Sequence, residues 1–123
     1  MINNQKRERE KHMKYTVHQI NLTNEQVDEV NSSDTYPGFY TTYLNTTFRP
    51  RSDAILDALN AGMYQPAAII EADDHNGVFH IGNMGPEDKI ERLGKMHSVS
   101  VGDIIEDEIG DIVYVDSCGF GEI

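Results

Sequence analysis

The side chains that could do chemistry are few: His12, His18, His75, His80 and His97, one cysteine, and an excess of carboxylates. Asp73-Asp74-His75 followed by His80 is the densest grouping of metal-ligand types. A closed zinc site needs about four ligands, usually with paired cysteines or histidines at fixed spacing. His75 and His80 are separated by Asn76-Gly77, a strong hairpin signal, so their side chains need not converge. No Cys pair completes the set, and these histidines read as structural or solvated, with no metal. Glu106, Asp107, Glu108 and Asp111 crowd one short segment, but they lack the alternating acids, central Gly and final Glu of a calcium loop. They read instead as a solvated acidic turn and a docking loop for a basic partner. Ser117-Cys118-Gly119 has no Gly before the Ser and no strand-turn-helix elbow, so it is not a nucleophile motif. Gly82-Asn83-Met84-Gly85-Pro86 lacks the Lys and Ser/Thr of a phosphate loop. No catalytic residue and no cofactor are assigned. The alternative is a small enzyme or ligand-binding domain, which would need His80, His97, Tyr114 and Asp116 to converge on one pocket.

Charge narrows the partners. Residues 1–14 carry five Lys/Arg and two Glu, a net +3, while residues 15–123 carry nineteen acids against five Lys/Arg, a net −14. Such a body repels nucleic-acid phosphate and anionic membrane and attracts basic protein surfaces. The aromatic stretch Tyr36, Phe39, Tyr40, Tyr43 and Phe48 could stack bases, and Arg49 and Arg51 follow it. The surrounding field disfavours that use, and core packing is the default. No apolar run approaches the roughly 20 residues of a membrane span. The first fourteen residues have no apolar signal segment, and Cys118 is alone, so the expected location is the reducing cytoplasm.

These residues must be positioned by short elements. Residues 1–14 read as a disordered leader, with Met13 as a second candidate start, and residues 15–123 as a single globular domain. Tyr15–Asn21 reads as a strand. Thr23 and Gln26 form a capping box for a helix over Asn24–Val30 whose apolar face is Val27 and Val30. Tyr40–Phe48, rich in Thr and Tyr, favours a strand, with a helical turn from Phe39 as the alternative. Ser52 is placed as the cap of a helix with Ile55, Leu56 and Leu59 as its stripe and Gly62 as its stop. Pro66–Ala72 and Val78–Ile81 read as strands of a hairpin turning at Asn76-Gly77. Pro86 opens a short helix with Ile90 and Leu93 inward and Gly94 at its end. Ser98–Val101 alternates, Gly102-Asp103 turns, and Ile104-Ile105 pairs with Ile112–Val115 as a closing hairpin. The pattern predicts an α+β fold: a small antiparallel sheet with two or three short helices.

The run His97-Ser98-Val99-Ser100-Val101-Gly102-Asp103-Ile104-Ile105, a short loop, and Tyr114-Val115-Asp116-Ser117-Cys118-Gly119-Phe120 resembles the YodL-like segment of phage and mobile-element proteins over residues 96–122. The resemblance implies a small accessory protein, often beside anti-restriction or transfer functions, with no assigned activity. Cys118 stands where a small or bulky uncharged residue is usual, which argues against a shared catalytic role. Within the segment, Val99 and Val101 are expected on one face of a strand, and His97 and Asp116 as a structural hydrogen-bond pair. Together these features suggest a non-enzymatic accessory protein that binds a host protein with a basic surface through its acids, as an inhibitor or DNA mimic. Neither direct nucleic-acid binding nor membrane association is expected.

Overall fold

A computed structural model describes residues 13–48 and 50–123. The expected leader therefore lies outside the described residues up to His12, and Met13 and Lys14 already belong to a strand. That strand, β1 (Met13–Ile20), is the centre of a six-stranded antiparallel sheet. The others are β2 (Tyr64–Ala72), β3 (Ile90–Arg92), β4 (Ile104–Glu106), β5 (Ile112–Asp116) and β6 (Gly119–Glu122). Their order is β3-β2-β1-β4-β5-β6. Among the described residues, four helices complete an α+β fold: α1 (Asn24–Ser32), α2 (Gly38–Phe48), α3 (Ser52–Asn60) and α4 (His75–Met84).

Both faces of the sheet are covered, which is why the short strands bury consecutive residues. Tyr15, Val17, Ile70, Ile105 and Val115 meet Val78 of α4 and Val99 on one face. Ile20, Tyr64, Ile104 and Tyr114 meet Ile55 and Ala58 of α3 on the other. Adjacent Ile104 and Ile105 thus enter different cores, as a strand's period of two requires.

Several local expectations are corrected. The capping box of Thr23 and Gln26 forms, with both reciprocal bonds present. The Val27 face, however, stays 41% exposed and α1 buries nothing completely. Tyr40–Phe48 is helical, not extended. Tyr36 meets Tyr40 edge to face and Tyr40 stacks on Tyr43 at helical spacing, and Thr42, Thr46 and Thr47 return their hydroxyls to carbonyls three or four residues back. Arg51, not Ser52, occupies the cap position of α3, and Ala54, Ile55 and Ala58 are its buried stripe, leaving Leu56 exposed. Gly62, in the left-handed region, does end it.

The Asn76-Gly77 pair makes no hairpin. Asp74 caps α4 by accepting from the Gly77 amide at 2.7 Å, and Val78 and Ile81, three apart, turn inward. The predicted helix after Pro86 shrinks to one 3₁₀ turn, Glu87–Lys89, and Ile90 begins β3 opposite Ile70. Leu93 is exposed. Residues 98–101 form no strand. Val99 is buried from an irregular segment, and Val101 is only half-buried. The closing hairpin is present as β4–β5, followed by a second hairpin with β6 that the alternation does not reveal.

Candidate acidic binding surface

The pairing registers decide which loops share an end of the sheet. Met13 lies opposite Ala72, Thr16 opposite Glu106, and Val113 opposite Glu122. The start of β1, the ends of β2, β4 and β6, and the start of β5 are therefore together. The β2–α4 turn, with Asp73 and Asp74, thus meets the β4–β5 turn, with Asp107, Glu108 and Asp111. Glu106 and Glu122 end β4 and β6, and Glu71 is the last residue but one of β2.

Tyr15 registers this gathering. Burial raises its phenol pKa first, and the carboxylates of Asp74, Asp107, Asp73 and Glu108 raise it further. His75 packs its ring 5.3 Å from Tyr15 and 5.5 Å from Phe120, so it serves as an aromatic wedge between the two turns. Lys14 and Lys89 lie with Glu71 on the β2 side of this end. Among the described residues no Lys or Arg lines the cavity of about 520 Å³ on the β5–β6 side, which is walled by His75, Asp107, Asp111, Val113 and Glu122.

The four acids of the expected docking loop have distinct local duties. Glu106 lies 2.9 Å from the imidazole of His18 on the neighbouring strand. Asp107 shapes the turn by accepting from the amides of Ile109 and Asp111 at 3.0 and 2.9 Å. Glu108 accepts from the Lys14 amide at 2.7 Å. Asp111 is exposed. Hydrogen bonds from backbone amides hold the Asp107 and Glu108 carboxylates in place on the turn.

The other candidate residues are held apart. His80 lies exposed on α4 beside Asp73, Asp74 and Lys89, while His97 lines a cavity of about 50 Å³ with Thr46 and Asp103. Tyr114 is buried beneath Gly121, where any side chain at residue 121 would collide with its ring. Asp116 accepts from the Ser117 amide at the β5–β6 turn. The expected His97–Asp116 pair has other partners: the His97 ring bonds the Ser98 carbonyl at 2.8 Å and its amide donates to Gln19. Cys118 is an exposed free thiol, and among the described residues no three His, Cys, Asp or Glu side chains are arranged to hold a metal ion.

At the opposite end of the sheet is the polar group that motif reading missed. Gln19, fully buried, donates from Nε2 to the His97 carbonyl and to Asp103, both at 2.9 Å, and accepts from the His97 amide at 3.1 Å. The same Asp103 oxygen accepts from the Ser100 amide at 2.9 Å. Burial drives the Asp103 carboxyl up to about 6, against the opposing pull of those two bonds and of His97. Tyr64 donates to the Gly102 carbonyl at 2.5 Å. This network ties residues 97–103 to β1 and β2, giving the irregular segment a fixed shape in place of strand pairing. The bare signal was Gln19 at an inward position of β1, alternating with Tyr15 and Val17.

No protein-family model, no curated protein and no solved structure matches the chain. The likeness of residues 96–122 to YodL-like segments rests on those residues alone. No helix among the described residues is long and apolar enough to cross a membrane.

Proposed function

We propose that this protein is a non-enzymatic binding protein, acting in the cytoplasm, that docks the acidic end of its sheet onto a basic surface of another protein. The observation that carries this reading is the convergence of two acidic turns, Asp73-Asp74 and Asp107–Asp111, around Tyr15 and His75. Eighteen of the nineteen acids in residues 15–123 remain at least partly exposed, since Asp103 is the one that is buried. Charge held at a rigid end steers association and selects partners more than it adds raw affinity.

In its sharper form, the acidic end occupies a nucleic-acid-binding surface and competes with nucleic acid, as an inhibitor would. The YodL-like segment supports a phage or mobile-element setting, in which the target is a host protein. The test is capture from a host-cell extract at two ionic strengths, followed by identification and direct titration of what is retained. Basic nucleic-acid-binding proteins held at low salt and released as salt rises support the reading. Retention of nothing basic at low salt overturns it.

A further inference from the structure

We infer that the open edge of β6 takes up an extended, lysine-bearing segment of the partner as a seventh strand. The inference rests on the acidic-docking reading and deepens it by naming how the partner is held. Among the described residues, β6 is the last strand of the sheet and pairs only with β5. Asp116 and Gly119 flank a two-residue turn, Ser117-Cys118, and pair across it. In an antiparallel hairpin the pairs alternate between hydrogen-bonded and non-bonded. Tyr114 and Gly121 are then the next bonded pair, while Val115–Phe120 and Val113–Glu122 are non-bonded.

The bonds of Val115 agree with this phase, because its amide and carbonyl both turn the other way, to Asp103 and Gly102 at 2.9 Å. The amides and carbonyls of Phe120 and Glu122 are therefore aimed outward along the edge. β3, the opposite edge, is guarded differently. It has three residues, Ile90, Glu91 and Arg92, with Arg92 tied to Glu87 at 2.5 Å. Charge and brevity discourage pairing there. β6 reads Gly-Phe-Gly-Glu, with no Lys or Pro to block an incoming strand.

Charge chooses the occupant. The edge runs into the cavity walled by Asp107, Asp111 and Glu122, where none of the described residues is a Lys or Arg. A second copy would bring another chain of net charge −11 against it, with like carboxylates facing. A lysine-bearing strand meets the opposite sign. Its residues bonded to Phe120 and Glu122 share the face that holds the acids, so lysines belong at those alternate positions. Main-chain bonds supply the grip, and the lysines supply the selection.

The experiment uses the full chain and three fluorescein-labelled peptides of alternating Lys and Val. One is unmodified, one is N-methylated on its valines and one on its lysines, with fluorescence anisotropy read at low and high salt. The expected result is binding by the unmodified and valine-methylated peptides, and a loss of about tenfold or more for the lysine-methylated one. In the complex, amide exchange at Phe120 and Glu122 should slow relative to the free chain. Equal, salt-sensitive binding of all three peptides overturns the edge pairing and leaves the acidic-surface reading standing. No binding by any peptide at low salt overturns both. A dimer of the chain alone in sedimentation, with β6 amides protected, assigns the edge to a second copy and overturns the inference.

Discussion

Replacing Asp103 by Asn separates charge from hydrogen bonding at the one buried acid among the described residues. Asp103 is 4% exposed, and a single oxygen receives both Gln19 and the Ser100 amide. Asn keeps an oxygen that can accept from both and removes the charge. Burial raises the carboxyl from 3.8 to about 6. The folded protein therefore holds this proton more tightly than the unfolded chain does. Its contribution to stability is greatest below about pH 4, is lost as pH rises through about 6, and is flat above that. A rise of about two pH units corresponds to about 3 kcal/mol, or about 10 °C in Tm for a chain of this size. Glu87, held below its usual range by its bond to Arg92, has the opposite sign and loses its stabilising effect as pH falls. The comparison must therefore be between proteins at each pH. Thermal unfolding followed by circular dichroism at pH 4 and pH 8 should show Asp103→Asn gaining on the parent by about 2 kcal/mol at the higher pH, since the unfolded carboxyl is already partly ionised at pH 4. A Tm difference between the two that is the same at both pH values would refute the assignment of a costly buried charge. Asp103→Ala, which also strands the Gln19 and Ser100 donors, should be less stable than Asp103→Asn at both pH values by about 1–3 kcal/mol.

Three further outcomes follow from the same network and from the acidic end. Gly102 has φ +93°, and a Cβ there would lie 2.5 Å from the Thr46 carbonyl oxygen, so Gly102→Ala should cost about 2 kcal/mol or more in chemical denaturation. Tyr64→Phe removes the hydroxyl that serves the Gly102 carbonyl and should cost about 1–2 kcal/mol, with the same loss at pH 5 and pH 8. Asp74→Ala removes the α4 cap and should cost about 1 kcal/mol, whereas Asp74→Ser should recover most of it in the same denaturation assay.

The antiparallel α+β class was legible because alternation in β1, the capping box at Thr23 and the Ile104–Val115 hairpin are local signals that tertiary contacts reinforce. The failures have a common cause. At Asn76-Gly77 the turn preference competed with Asp74, which could cap a helix just as well, and burial of Val78 and Ile81 decided for the helix. At Tyr40–Phe48 β-propensity competed with the helical spacing of Tyr36, Tyr40 and Tyr43, and burial of Tyr43 against the α3 core decided again. β6 was hidden because its alternate residues are glycines, one of them a floor for the Tyr114 ring. For the acidic site, the sequence exposes one turn and conceals the other. Asp73-Asp74 read as part of a hairpin with metal-like neighbours, and only the register of β1 with β2 and β4 brings it to Asp107–Asp111. The Gln19–Asp103 clamp spans 84 positions, a separation no local pattern reports.

The central claim, that this end of the sheet is the docking surface, is tested most directly by comparing two triple variants of equal charge change. Glu108→Gln, Asp111→Asn and Glu122→Gln remove three charges from the acidic end, while Asp28→Asn, Glu29→Gln and Asp57→Asn remove three from α1 and α3. Affinity of each for the captured basic partner is measured at one low ionic strength. The account predicts a loss of about tenfold or more for the first variant and little change for the second. Equal weakening of both would show that net charge alone drives binding, and would contradict it.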